Sequence, residues 1–87
     1  MDLAFVVPEG TGADRVRNTI NKAGGELLVD LTLVDTYRGA GVDDGSRSLA
    51  FRLRFQADDR TLTDEEITSS REAIIAAVAK QNKGALR

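Results

Sequence analysis

The sequence has 87 residues, and its 12 Lys and Arg against 14 Asp and Glu give a formal net charge of −2. This length suits one domain with a modest core, and the charge gives no bulk support for nucleic-acid binding. The sequence has no cysteine or histidine, which excludes disulfides, thiolate metal sites and imidazole bases. No apolar run approaches the ~18 residues of a membrane helix. We therefore expect a cytoplasmic protein with no membrane partner and no signal peptide.

The first half of the chain predicts a strand, a helix and a second strand. Residues 2–7 predict a strand with Leu3, Phe5 and Val7 on one face and Ala4 and Val6 on the other. Pro8 ends it, because proline cannot donate to a sheet ladder. Residues 13–23 have helical spacing, and two glycines that tolerate positive φ follow them. Residues 27–38 predict the second strand, in which Leu27, Val29, Leu31 and Leu33 have the parity of core residues.

The second strand changes its pattern after Leu33, because Asp35 and Tyr37 share the parity of the core residues. Either the strand leaves the core there, or a β-bulge near Leu33–Val34 shifts its register. We favour the bulge, since a buried aspartate without a partner is costly. The bulge would turn Val34 and Thr36 inward and direct Asp35 and Tyr37 to the open face, the side of the sheet without helices.

The second half predicts a hairpin arm, a helix and a short terminal strand. Residues 46–55 follow a glycine-rich loop and alternate strictly: Leu49, Phe51, Leu53 and Phe55 have one parity, and Ser48, Ala50, Arg52 and Arg54 have the other. Thr63 and Glu66 form a capping box that begins a helix reaching about Asn82. Gly84 is predicted to end this helix, and residues 85–87 can form a terminal strand.

This element order predicts an α+β fold of the ferredoxin-like split βαβ type, forming one domain over residues 1–87. It consists of a four-stranded antiparallel sheet with two helices on one face. The strand and helix periodicities predict a single core formed by Leu3, Phe5, Val16, Ile20, Leu31, Leu49, Phe51, Leu53, Ile67, Ile74 and Val78.

Catalytic and metal-binding patterns are not found. The segment Gly10–Gly12 lies between a strand and a helix, as a phosphate loop would, but the third glycine of a dinucleotide motif is replaced by Arg15 and there is no Walker lysine. We interpret it as a flexible helix entry. The acidic pairs at 43–44 and 58–59 are typical of solvated surface, because neighbouring carboxylates diverge. We therefore expect no catalytic and no metal residues.

Arginines are the main polar residues predicted on the open face. Arg52 and Arg54 lie on it, and Arg38 and Arg47 lie at the hairpin end. The acidic residues are expected mainly on loops and at the helix start, on the other side. Such a division can form a phosphate-facing patch despite the negative net charge, or the arginines can simply keep an exposed sheet face soluble.

Tyr37 is the one aromatic residue that the pattern can place on the open face, since the three phenylalanines have the core parity. A platform that stacks several bases is therefore not expected. One stacked base is compatible with the pattern, because the neighbouring Ala4 and Ser48 are small. The alternative is an ordinary half-buried strand tyrosine.

Three spaced motifs carry a resemblance to a known family. They are Asp-Thr-Tyr-Arg-Gly at 35–39, Gly-Ser-Arg-Ser-Leu-Ala at 45–50 and Arg-Thr-Leu-Thr-Asp-Glu-Glu at 60–66, flanked by the opening Asp-Leu-Ala-Phe-Val-Val and the closing Gly-Ala-Leu-Arg. Together they resemble the C-terminal ferredoxin-fold anticodon-binding domain of the bacterial phenylalanine–tRNA ligase (phenylalanyl-tRNA synthetase) beta subunit. The resemblance covers essentially the whole chain.

The resemblance implies that the open face contacts the anticodon stem-loop of tRNA(Phe). Tyr37 would stack on an anticodon base, Asp35 would hydrogen-bond the edge of that base, and Ser48 and Ala4 would adjoin it. Members of the family often carry a lysine in the hairpin loop, where Arg47 supplies the cation here. The RNA-binding residues predicted from the pattern and the resemblance together are Ala4, Asp35, Tyr37, Arg38, Arg47, Ser48, Arg52 and Arg54.

The resemblance further implies that the chain is part of an aminoacyl-tRNA synthetase, as one piece of a longer beta subunit. Its partners would then be the rest of that subunit and the alpha subunit. The parent enzyme would use ATP and magnesium outside this segment, and its catalytic centre would lie in a different subunit. Two alternatives remain at this point: a regulatory module of the ACT type that binds a small ligand, and a packing domain without RNA affinity.

Overall fold

Four antiparallel strands and two helices make up the computed structural model, which describes residues 1–87. The elements are β1 (Asp2–Pro8), α1 (Ala13–Gly24), a short 3-10 turn (Gly25–Leu27), β2 (Leu28–Tyr37), β3 (Ser46–Phe55), α2 (Asp64–Asn82) and β4 (Ala85–Leu86). The strand order in the sheet is β2-β3-β1-β4. Every neighbouring pair is antiparallel, which confirms the predicted ferredoxin-like arrangement.

The predicted capping box begins α2. The amide of Glu66 donates to Oγ1 of Thr63 at 3.2 Å, and the amide of Thr63 donates to Oε1 of Glu66 at 3.3 Å. Two amides that the helix itself cannot satisfy are thereby paired. Neither α1 nor α2 is long and apolar enough to cross a lipid bilayer.

The end of α2 differs in detail from the prediction. Lys83, not Gly84, adopts the left-handed conformation that ends the helix, with φ of 56°. Gly84 is required for a different reason: a Cβ atom there would lie 2.6 Å from Cγ1 of Val78 and 3.0 Å from Cγ1 of Val7. The chain can enter β4 only because this position has no side chain.

The core lies between the sheet and both helices. Its buried apolar residues are Leu3, Phe5, Val7, Val16, Ile20, Leu49, Phe51, Leu53, Ile74 and Val78. The predicted core is therefore confirmed apart from two positions, Leu31 and Ile67, which are only half-buried. Leu31 still packs against the core. It is only half-buried because β2 lies at the edge of the sheet.

Strand β2 contains two irregularities, of which one was predicted. The register against β3 shifts between Leu33 and Asp35, which confirms the bulge. The expectation that Val34 turns inward is wrong, because this residue is the extra one in the bulge and is 43% exposed. A second shift between Leu28 and Asp30 leaves Val29 47% exposed. The predicted core position of Val29 is therefore also wrong, and Leu28 packs against the core instead.

Candidate nucleic-acid interface

The bulge in β2 arranges the open face in rows that run across the sheet. Residues directly opposite each other in antiparallel strands share a face. One row contains Ala85, Val6, Ser48 and Tyr37 from the four strands in order. The next contains Ala4, Ala50 and Asp35. Four predicted RNA-binding residues, namely Ala4, Asp35, Tyr37 and Ser48, are thus brought together on one surface.

Two contacts hold the ring of Tyr37, one at its hydroxyl and one on its face. Its hydroxyl donates to the carbonyl oxygen of Ala40 at 3.0 Å, within the loop that follows β2. Gly39 has φ of 131°, and a Cβ there would lie 3.3 Å from the same hydroxyl, so only glycine suits this turn. The guanidinium carbon of Arg87 lies 4.6 Å from the centroid of the ring, which is a cation–π contact.

Arg87 is a site residue that the pattern alone did not identify. Its amide donates to the carbonyl oxygen of Ala4 at 2.8 Å, so its backbone lies beside β1. To reach Tyr37 on β2, its side chain crosses β3 on the open face. Ser48 is only 2% exposed although no helix covers its side of the sheet. The one sequence signal for this contact was the closing Gly-Ala-Leu-Arg, whose last residue follows β4.

Two of the predicted arginines are already paired with carboxylates. Nε of Arg52 lies 3.1 Å from Oδ1 of Asp2, and Nε of Arg38 lies 2.7 Å from Oε1 of Glu9. The hydrogen bond from Arg52 lowers the pKa of Asp2, and the hydrogen bond from Arg38 lowers the pKa of Glu9. Both ion pairs therefore persist at neutral pH.

Acidic side chains also lie on the open face, contrary to the expected division of charge. Asp2 is in the row of Arg52, Asp30 is opposite Arg54, and Asp35 lies next to Tyr37 in the strand direction. The face thus has mixed charge, with Arg54 as a guanidinium whose hydrogen-bond partner, Gln56, is neutral. The expectation was wrong because it counted the acidic residues of the loops and missed those brought in by strand pairing.

Arg47 lies on the helix side of the sheet, opposite Val7 and away from Tyr37. It is 7% exposed and donates to three backbone carbonyls, at 3.1 Å to Pro8, 3.4 Å to Glu9 and 2.7 Å to Thr11. No carboxylate forms an ion pair with it. In this geometry Arg47 fixes the loop before α1.

No group of three or more acidic side chains is arranged to hold a metal ion. The acidic clusters of the sequence have other partners or none. In the acidic stretch Asp64–Glu66 at the start of α2, Glu66 pairs with Arg60, which lowers the pKa of its carboxyl, and Glu66 also takes part in the capping box.

The fold and the open face define a class of protein. The chain belongs to the family described as the ferredoxin-fold anticodon binding domain, whose model matches residues 1–87. Membership in this family favours anticodon binding over the regulatory and packing alternatives.

The curated relatives of the chain are phenylalanine–tRNA ligase beta subunits. Those of Geobacillus kaustophilus, a Synechococcus species and Moorella thermoacetica are 44%, 45% and 46% identical to it over 86 residues. Each match covers 99% of this chain, and the chain spans only 10–11% of the length of these relatives. These relatives are subunits of an aminoacyl-tRNA synthetase, a ligase.

Proposed function

We propose that this chain binds the anticodon stem-loop of tRNA(Phe) as one module of a longer phenylalanine–tRNA ligase beta subunit. The observation that carries the proposal is the position of Tyr37. The bulge in β2 places its ring on the side of the sheet without helices, in one row with Ser48 and beside Asp35. The family and the relatives support anticodon binding as the use of this surface.

Tyr37 supplies the stacking surface for one base. Base–aromatic stacking tolerates any base, so selectivity requires hydrogen bonds to the base edge. The exposed carboxylate of Asp35 is an acceptor for the amino or imino groups of such an edge. Ala4 and Ala50, in the same row as Asp35, leave room above the sheet for the base.

Arg87 must change its position for a base to stack on the face of Tyr37 that it now covers. Its cation–π contact is worth about 0.5–1 kcal/mol at an exposed site, which is less than the ~1–3 kcal/mol of a stacked base. A base can therefore displace the guanidinium, which is then free to contact a phosphate.

Arg87 and the four predicted RNA-binding arginines have unequal roles in this proposal. Arg54 and the displaced Arg87 are available to phosphates, because neither forms an ion pair. Arg52 and Arg38 must first exchange their carboxylate partners for phosphates. Arg47 contributes indirectly, since it fixes the loop whose Glu9 holds Arg38.

The proposed setting is the complete synthetase. The rest of the beta subunit and the alpha subunit are the protein partners, and the reaction takes place in the cytoplasm, where tRNA is charged. ATP and magnesium serve the catalytic centre, which lies outside these 87 residues in the proposed parent enzyme. The open face contributes recognition of tRNA to that reaction.

Tyr37→Ala is expected to weaken binding of tRNA(Phe) by about 1–3 kcal/mol, because the stacking surface is lost. Tyr37→Phe keeps the ring and loses the hydrogen bond to Ala40, so its cost is expected to be at most ~1 kcal/mol. The measurement is the dissociation constant of each variant for tRNA(Phe) and for a tRNA(Phe) with one changed anticodon base.

A matched control separates stacking from general electrostatics. Arg54→Ala is expected to weaken binding of both RNAs equally. Tyr37→Ala is expected also to reduce the difference between them, because Asp35 can read the base edge only while the ring holds the base in place. If Tyr37→Ala keeps its fold by circular dichroism and binds tRNA(Phe) as tightly as the unmodified protein, the proposed function of the open face is wrong.

Asp2→Asn is expected to strengthen RNA binding, because it releases Arg52 to contact phosphate and removes a negative charge from the open face. The slope of log K against log salt should become steeper by about 1, since one more phosphate is contacted. Asp58→Asn is the control, because it removes one exposed carboxylate from the β3–α2 connection, outside the open face. Equal gains from both substitutions would mean that net charge alone, and not Arg52, causes the effect.

A further inference from the structure

A polar cleft of about 290 Å³ lies between the start of α1 and the end of α2. Its lining residues are Pro8, Thr11, Arg15, Gln81, Asn82 and Lys83. The cleft is on the helix side of the sheet and contains none of the residues of the open face. The role of its side chains is not explained by the proposed anticodon contact.

Positive charge dominates this cleft. Arg15 and Lys83 are exposed, and neither forms an ion pair. Arg47 adds a third cation, because its guanidinium holds the carbonyls of Pro8 and Thr11 in the cleft wall. The nearest carboxylates along the chain are already engaged: Glu9 with Arg38, and Asp14 at 3.9 Å from Nη1 of Arg17.

The first turn of α1 adds unpaired backbone donors beside the cleft. Gly12 is the N-cap and has no side chain with which to cap the helix. Backbone pairing begins with the amide of Arg15, which donates to the carbonyl of Gly12, so the amides of Ala13 and Asp14 have no backbone acceptor. Free amides and the positive end of the helix dipole together favour an anion.

Asn82 is the independent observation that points to a ligand. It is 6% exposed, its Oδ1 atom is buried without a donor, and its side chain forms no hydrogen bond within the protein. A buried side-chain amide that forms no hydrogen bond is uncommon, and an acceptor in the cleft would pair its Nδ2 donors, although not Oδ1. Because Asn82 lines the cleft and Oδ1 is its enclosed atom, Nδ2 is the amide atom available to an acceptor in the cleft.

Lys83 adopts a strained backbone conformation in the cleft wall, which lowers the stability of the fold. It is the only residue other than glycine with positive φ, at 56°. Glycine is the usual residue at this position of a helix end, since it adopts the left-handed conformation without strain. A lysine here gives up stability and supplies a charge, as residues at ligand sites commonly do.

We propose that this cleft binds a phosphodiester group of the RNA backbone. The inference rests on the proposed function, because the RNA is the one whose base stacks on Tyr37. Both sites lie at the same end of the sheet: Pro8 at the cleft is opposite Ser46, and Tyr37 is opposite Ser48 on the same strand, β3. An RNA strand stacked on Tyr37 can therefore continue around this end of the sheet, with one of its phosphates in the cleft.

Three substitutions in the 87-residue chain test the cleft: Arg15→Gln, Lys83→Gly and the control Lys80→Gln. Lys80 lies in the last turn of α2 but does not line the cleft, so its loss removes the same charge. The probe is an RNA hairpin with the anticodon stem-loop of tRNA(Phe), titrated over a series of salt concentrations. Arg15→Gln and Lys83→Gly should each flatten the slope of log K against log salt by about 1, and Lys80→Gln by clearly less.

Lys83→Gly also controls for misfolding. It relieves the left-handed strain, so its melting temperature should equal or exceed that of the unmodified chain while its RNA affinity falls. A second measurement uses inorganic phosphate. NMR titration should shift the backbone amides of Ala13 and Asp14 and the side-chain amide of Asn82. Shifts with phosphate but no effect of the substitutions on RNA would show a free-phosphate site and overturn the RNA assignment.

The outcomes separate this inference from the proposed function. If Tyr37→Ala weakens RNA binding while Arg15→Gln and Lys83→Gly behave like Lys80→Gln, the cleft assignment is overturned and the open face stands. If the unmodified chain binds no RNA hairpin, the proposed function and the RNA assignment both fail. The phosphate titration would then decide whether the cleft binds anions at all.

Discussion

Phe51→Ala is expected to lower the free energy of unfolding by about 3–5 kcal/mol, because it leaves a cavity at the centre of the core. Phe51 is fully buried in the central strand β3, between Leu3 on β1 and Leu33 on β2. Small domains are stable by only ~5–15 kcal/mol, so this loss is a large fraction of the total stability. Urea unfolding followed by circular dichroism measures the loss as a lower midpoint at unchanged slope.

Phe55→Ala is the matched control, since it removes the same ring from the end of the same strand. Phe55 is only half-buried and packs against the margin of the core. Its loss should therefore cost clearly less than the loss of Phe51. Equal losses of stability would contradict the assignment of Phe51 to the centre of a single core between the sheet and the helices.

Arg47→Met is expected to lower the free energy of unfolding by on the order of 3 kcal/mol. One hydrogen bond from a charged donor is worth ~1.5–3 kcal/mol, and bonds that share one guanidinium are not additive. Methionine keeps most of the stem but removes the donors that hold Pro8, Glu9 and Thr11. Arg47→Lys should recover only part of the loss, because one ammonium cannot replace the planar fork of the guanidinium. Thermal unfolding and amide hydrogen exchange in residues 9–12 measure the effect.

Arg54→Met is the control for Arg47→Met. Arg54 lies on the same strand and is exposed, so its loss should change stability by no more than about 0.5 kcal/mol. If both substitutions have the same small effect, the carbonyl contacts of Arg47 do not hold the loop. A loss confined to RNA affinity, with stability intact, would instead favour the original prediction that Arg47 contacts RNA.

Local signals in the sequence were sufficient for most of the fold. Thr63 and Glu66 are three residues apart, and their capping box depends on nothing outside one helical turn. The bulge in β2 was predictable because Asp35 could not share the face of Leu33 without a buried charge. The second bulge had no such signal, since Val29 looks like a core residue when only its parity is considered.

The parts of the site that escaped prediction depend on pairs far apart in the chain. Arg52 meets Asp2 across 50 positions, and Arg47 meets the carbonyl of Pro8 across 39. Arg87 reaches Tyr37 only because β4 lies beside β1 and the side chain crosses β3. Periodicity shows which face of a strand a residue occupies, but it does not show which side chain the neighbouring strand brings to that face.

The bulge at Val34 divides β2 into two segments whose odd-numbered residues face opposite sides of the sheet. Before it, the odd positions Leu31 and Leu33 face the helices; after it, the odd positions Asp35 and Tyr37 face away from them. Mutations in the first segment are constrained by packing, whereas mutations in the second are constrained by whatever the open face contacts. Evolution can thus vary the open-face residues of this strand without repacking the core. Deletion of Val34 would remove the extra residue and make the pairing regular, with Asp35 still opposite Ala50 and Tyr37 still opposite Ser48 on the open face.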